Sequence, residues 1–256
     1  MNNILAIAGK ELRSYFSTPI AYIVIGFFAL LFGYFFYAML IIFNQQSQLG
    51  GLEGGGPTDI NAQLIRPLFL NASVIMLFVL PLITMRTYSE EKRSGTIELL
   101  LTSPLTDFEI IMGKFLGAMA LYGSMLAITL IHMTILASYA TPRPEWRILL
   151  TGYVGLLLMG GCFISVGLLI SSMTKNQIVS GMITFAVFLL LWVINWVASF
   201  VGPTTQTVLN YLSITDHFDD FTKGILDTKH LVYYFSVMSF GLFLTMRSVD
   251  TERWKG

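Results

Sequence analysis

Six stretches of this chain, 20–43, 68–85, 115–139, 148–173, 178–201 and 231–246, run without a single Asp, Glu, Lys or Arg. Runs of that length constrain the fold more than any other feature. In hydrocarbon every backbone N–H and C=O must be satisfied inside the segment, so each run reads as a membrane-crossing helix. Composition agrees. Charged residues make up 12% of the chain, about half of the roughly 25% usual in soluble domains. Hydrophobic residues reach 55% and the mean hydropathy is +0.71. A soluble fold of this size has too much surface to hide so much apolar side chain. Disorder is excluded for the same reason. The expected class is an all-α polytopic membrane protein with six transmembrane helices.

An even number of crossings puts both ends on one side. With the ends inside, the cytoplasmic segments hold Lys10, Arg13, Arg86, Lys92, Arg93, Lys114, Lys175, Arg247, Arg253 and Lys255, ten basic residues. The outer segments hold Arg66, Arg143, Arg147, Lys223 and Lys229, five. That excess predicts cytoplasmic termini. Net charge is zero, so nothing in the balance points to nucleic acid. The single cysteine, Cys162, excludes an intrachain disulfide and a cysteine zinc site. The three histidines, His132, His217 and His230, lie far apart in sequence, so no metal site is expected.

Residues 1–18 do not read as a cleaved leader, because the apolar run behind them is too long and no small-residue cleavage site follows. Ile4, Leu5, Ala8, Leu12, Tyr15 and Phe16 recur at helical spacing, with Lys10, Arg13 and Ser14 opposite. This is the pattern of an interfacial amphipathic helix, and Pro19 marks the turn into the first span. The glycines at 50–56 are followed by no Lys-Ser/Thr and no helix start, so 44–66 reads as a flexible outer connector rather than a phosphate loop.

Half of the charged residues on the terminal side fall in the loop 86–114. Ile97, Leu100 and Leu101 share a helical face within it, and Pro104 stops that helix near Thr102. Thr106 and Glu109 then form a capping box with Leu105 and Ile110 as its staple, so the third helix is expected to begin before the lipid. Gly113 and Gly117 form a small-xxx-small pair at its head, suited to close helix contact.

The stretch Arg93-Ser94-Gly95-Thr96-Ile97-Glu98-Leu99-Leu100-Leu101-Thr102-Ser103-Pro104-Leu105, followed by Gly113-Lys114-Phe115, resembles the signature loop of ABC-2 type transport permeases. Lys10-Glu11-Leu12-Arg13 followed by Pro19 resembles their N-terminal elbow. His217-Phe218 through Gly224, then Tyr233-Tyr234-Phe235, is similar to the gliding-motility-associated and nitrous-oxide-reductase-maturation branch. The resemblance implies an elbow helix carrying Lys10, Glu11 and Arg13. It implies a coupling helix over 93–101, with Glu90, Glu91, Arg93, Gly95, Thr96, Ile97, Glu98, Leu100 and Leu101 contacting an ATPase subunit. Two ATPase copies holding ATP and Mg2+, a second permease copy (homodimer or related chain), and residence in the inner (cytoplasmic) membrane follow as expectations. This chain carries no G-x-x-x-x-G-K-[ST] motif, so the fuel is expected to be hydrolysed by the partner.

Between the fifth and sixth spans, Gly202-Pro203 breaks the chain, and Ser213 with Asp216 suggests a helix cap. Ile214, Phe218, Phe221 and Ile225 line one face of the helix that follows. Asp216, Asp219, Asp220 and Lys223 fall opposite, as a candidate dock for an extracytoplasmic auxiliary protein. The resemblance makes 204–229 a pair of external helices capping the pathway. Asn71, His132 and Asn195 sit at lipid depth and are assigned structural helix-to-helix roles. Pro81 is expected to kink the second span, and Trp192 and Trp196 to anchor the fifth at the interface. Gly161, Ser165, Gly167 and Ser171 form a packing strip in the fourth.

The resulting expectation is the membrane subunit of an ABC-2 exporter. The alternative is a non-transporting transducer that passes ATP-driven motion to an outer protein. Without a nucleophile–base pair, an HExxH motif or paired intramembrane carboxylates, an enzyme is not expected.

Overall fold

The computed structural model describes residues 2–52, 59–98, 104–141, 143–198 and 200–253. All regular structure among them is helical: α1 (Asn2–Ser17), α2 (Pro19–Leu52), α3 (Arg66–Thr84), α4 (Ser89–Ser94), α5 (Asp107–Tyr139), α6 (Trp146–Met173), α7 (Gln177–Ala198), α8 (Pro203–Leu212), α9 (Ile214–Thr222) and α10 (Thr228–Arg253). Six helical stretches among the described residues are long and apolar enough to cross a membrane.

Helix limits depart from the apolar runs where polar residues are helix-compatible. The first span continues past 43 to Leu52, because the Asn and Gln after Phe43 carry no breaker. The segment 44–66 is therefore not one loose connector. It holds the end of α2 and a π-helical turn, Asn61–Ile65, that leads into α3. Residues 53–58, which include most of the glycine run, lie outside the described residues. Helix α5 starts at Asp107, well before the apolar run. Thr106 Oγ1 accepts from the Glu109 N–H, and the Glu109 carboxylate accepts from the Thr106 N–H at 3.0 Å.

Helices α3 and α6 form the enclosed centre, and α2 and α7 the mostly exposed flanks. Glycine sets how closely α6 is approached. A side chain on Gly155 would meet Phe221 of α9 at 2.8 Å, and one on Gly161 would meet Met238 of α10 at 2.6 Å. His132 of α5 packs edge-on against Phe32 and Phe36 of α2, at 5.5 and 5.2 Å between ring centres. The contact joins α5 to α2 through aromatic rings. Pro81 lies inside α3.

Side-chain bonds sort the helix ends into two faces. On the terminal face, Ser171 at the end of α6 accepts from the Tyr88 and Ser89 N–H groups at 3.1 and 3.2 Å. There too Ser172 bonds Ser248 of α10 at 2.9 Å. On the opposite face, Arg66 at the head of α3 binds Asp219 of α9, and Thr151 near the head of α6 donates to the Phe221 carbonyl at 2.8 Å.

Candidate coupling site on the terminal face

Helix α1 lies along the head of α5 and reaches it through two glycines. A Cβ on Gly113 would stand 2.6 Å from Ile7 Cβ, and one on Gly117 would stand 2.8 Å from Glu11 Cβ. Only hydrogens there let the two backbones approach this closely. The face α1 presents therefore differs from the amphipathic reading. Ile7, Glu11 and Tyr15 are buried, while Leu5 is exposed. Glu11, assigned to neither face by the helical pattern, is turned inward. Lys10 and Arg13 remain exposed.

Glu11 is buried because a cation meets it. Lys114, one residue beyond Gly113, is itself only 1% exposed. Its Nζ donates to Glu11 Oε1 at 3.0 Å, Glu91 Oε1 at 2.8 Å and the Thr87 carbonyl at 2.9 Å. The same amine lies 4.9 Å from the Tyr88 ring centre. Lys10 sits at the rim, 3.7 Å from Glu11 and 3.6 Å from Glu91. One buried ammonium thus holds two carboxylates from separate elements. Such an ion is tolerable in a dry place only because its donors are all used. Tyr15 adds a neutral tie, its hydroxyl within 3.3 Å of the Ile83 carbonyl and of Thr87 Oγ1. Burial pushes the Tyr15 phenol well above its ordinary pKa, which keeps it a hydrogen-bond donor. Elbow, loop and the head of α5 are locked into one joint, and Ser171 extends it to α6.

In front of the joint the loop is not one helix. Helix α4 ends at Gly95, whose φ of 73° is the left-handed conformation glycine adopts most readily. A second helical start follows at Ile97 and Glu98. The expected coupling helix over 93–101 is corrected on this point. Leu100 and Leu101 lie outside the described residues. Arg93, Gly95, Thr96 and Glu98 are exposed, whereas Ile97 is buried. Glu90 pairs with Arg86 through two bonds of 2.8 and 3.0 Å. Glu91 serves the buried joint rather than an open face. A polar cavity of about 310 Å³ separates α1 from α4, with Lys10, Ser14, Arg86, Glu90 and Thr96 among its walls.

The opposite face collects the other expected residues. Asp219 accepts two bonds from Arg66 Nη2, at 2.7 and 3.0 Å, and pairs with Lys223 at 2.6 Å. Burial raises its carboxyl, but the bonds from Lys223 and Arg66 outweigh this and hold it below the usual carboxylate range. Asp216 is pushed up, by burial first and then by Asp219 and Asp220. Asp219, Asp220 and Lys223 of the acidic face are thus engaged with one another and with Arg66 within the molecule. Ser213 Oγ caps α9 by accepting from the Asp216 N–H at 3.2 Å. Gly224, with φ of 81°, ends that face and leaves Ile225 exposed, unlike the expected packing. Asn71, Asn195, Trp192, Trp196 and Asp216 border a second polar cavity of about 510 Å³. Among the described residues no group of three or more His, Cys, Asp or Glu is placed to hold a metal ion.

Lys114 is the residue the sequence reading passed over as a site. Its signal was available: an ionisable side chain at the head of an apolar helix, behind a glycine.

A polytopic helical membrane protein with an elbow helix joined to a loop between its second and third spans is the class these observations define. The sequence model of the family described as ABC-2 family transporter protein matches residues 5–246, and the chain belongs to that family. Its relatives include the protein named "Probable multidrug ABC transporter permease YbhR" in Escherichia coli strain K12, and the same-named protein of Escherichia coli O157:H7. Each is 27% identical over 209 residues, covering 74% of this chain and 54% of the relative. The chain thus spans about half the length of these curated relatives.

Proposed function

We propose that this chain is the permease subunit of an ABC-2 exporter in the cytoplasmic membrane, with both termini cytoplasmic. ATP and Mg2+ are bound and hydrolysed by two separate ATPase subunits, and a second permease copy completes the pathway. Membership in the ABC-2 family and the excess of basic residues on the terminal side support this reading. The name carried by the Escherichia coli relatives suggests multidrug substrates.

The observation that carries the mechanism is the Lys114 joint. The exposed turn at Arg93, Gly95 and Thr96 is where an ATPase subunit docks. Force applied there passes along α4 to Glu91, and Lys114 delivers it at once to α1 and α5. Ser171 carries it to α6, whose glycine-lined surface packs on α9 and α10. The loop cannot shift alone, because breaking the joint would leave charges buried and unpaired. Movement at the ATPase therefore rocks the central helices as a body. This chain performs no covalent step.

The test is retention of the ATPase by tagged permease. Arg93→Glu with Thr96→Arg, and separately Leu100→Asp with Leu101→Asp, should lower co-purified ATPase by about tenfold or more, the effect expected of lost interface anchors. Membrane insertion should be unchanged. Full retention in both variants contradicts the docking assignment. The second reading, transduction to an outer protein, is favoured by the exposed apolar pair Ile225 and Leu226 beside Gly224. ATPase activity stimulated only by an outer protein, and by no transported compound, would select it.

A further inference from the structure

His217 and His230, thirteen residues apart and both buried, meet on the opposite face with their Nδ1 atoms 2.6 Å apart. Their outer nitrogens are committed. His217 Nε2 lies 3.0 Å from the Tyr211 carbonyl, which only accepts, so this nitrogen carries a proton. His230 Nε2 lies 2.9 Å from Asp220 Oδ2. Three hydrogen bonds run in series from Asp220 to Tyr211, and three bonds need three protons. An ionised Asp220 and two neutral imidazoles supply two. In that state lone pairs oppose each other at hydrogen-bond distance, either between the two Nδ1 atoms or between His230 Nε2 and the Asp220 carboxylate, depending on the His230 tautomer, and either arrangement repels. The geometry fits a chain holding one proton more.

We propose that His230 is a proton-binding site, an imidazolium paired with Asp220 that donates from Nδ1 to a neutral His217 and so latches α9 onto α10. Its surroundings assign the charge. Burial, ahead of the repulsion from His230 and Lys229, holds the His217 imidazole below its ordinary pKa, which suits it to be the neutral acceptor. Tyr233 stacks on the His217 ring, 3.9 Å between centres, and fixes its plane. The anions facing the pair are Asp220, and Asp227 in the turn before α10. The facing cation is Lys229, which pairs with Asp227 at 3.4 Å. The facing phenols are Tyr211 from α8 with Tyr233 and Tyr234 from α10. Lys223 is taken up by Asp219 and Asp220, and Arg66 of α3 by Asp219. From α6 the Cys162 thiol is spent on the Tyr234 carbonyl, and α7 has no titratable residue.

The latch has a reach beyond the two rings. Helix α9 is also the element held by Arg66 and by Thr151. The proton therefore sits where the heads of α3, α6 and α10 are gathered. The contact is closed while His230 is charged and loosens as rising pH removes that proton.

The experiment uses the full chain in lipid nanodiscs, labelled with 15N-histidine. Only three histidines give signals. At about pH 5.5, His230 should appear as an imidazolium coupled through a hydrogen bond to a neutral His217, and it should lose its charge by about pH 8.5. Over the same range, exchange protection of 214–222, corrected for the chemical rate, should fall about tenfold. His230→Gln should show the low protection at every pH. Asp220→Asn should weaken the imidazolium signal of His230 at about pH 5.5. Two neutral rings at about pH 5.5, or protection of 214–222 that ignores pH in the unmodified chain, would overturn the proposal.

Discussion

The two faces of this molecule are fastened by different chemistry. On the terminal face one lysine amine bridges two carboxylates that stand 103 and 23 residues away from it. On the opposite face two imidazoles and a carboxylate meet in series. The ordinary pKa of imidazole lies near neutrality, whereas those of lysine and the carboxylates lie far to either side. The difference teaches a division of labour. The joint proposed to couple to the ATPase is built from a lysine and two carboxylates. In the proposed latch, α9 and α10 are tied by a bond whose strength follows the proton concentration around them.

The sharpest way to break this comparison is to remove the fixed charge. Lys114→Met strands Glu11 and Glu91 in a buried place and should cost about 3–5 kcal/mol, read as a large drop in thermal stability in detergent. Adding Glu11→Gln and Glu91→Gln should recover much of it, because the joint is then neutral. A Lys114→Met protein as stable as the parent would show that the joint bears no load. Next comes the approach of α1 to α5. Gly113→Val places atoms where Ile7 stands and should cost about 1–3 kcal/mol. Gly9→Ala, with nothing within 4 Å of its added carbon, serves as the neutral control.

On the opposite face the penalties shrink. Arg66→Gln removes a partly exposed pair and should cost about 1 kcal/mol. Since Asp219 has its pKa held down, the bridge contributes above the ordinary carboxylate range and is lost as the pH falls through the lowered value. Acid melting curves of the parent and Arg66→Gln should therefore converge at low pH; a constant gap would refute the assignment. The smallest effect is at the capping box, where Thr106→Ala should cost about 0.5–1 kcal/mol in the same assay.

Local signals carried much of this architecture. The apolar runs announced six spans, Thr106 and Glu109 their capping box, and Gly113 and Gly117 a close contact, because each depends on residues within one or two turns. What failed to show depends on partners distant in sequence. The burial of Glu11 did not show because its neutralising cation lies at the head of another span. His217 and His230 looked unrelated because only the turn at Gly224 and the α9–α10 hairpin bring them together. The coupling segment read as one helix since Ile97, Leu100 and Leu101 fit the period. Gly95, going left-handed, separates α4 from the helical start at Ile97. The pairing of Asp219 with Arg66 did not show because the two stand 153 residues apart.

The central claim is that the loop in front of Lys114 faces the compartment where ATP is hydrolysed. Cys162 is the sole cysteine and is buried, so Cys162→Ser gives a clean background. Thr96 is exposed where Ile97 is not, which makes Thr96→Cys the probe position. A membrane-impermeant maleimide should leave this cysteine unlabelled in intact cells and label it once the cytoplasmic membrane is opened. Labelling in intact cells would place the loop outside and contradict the account.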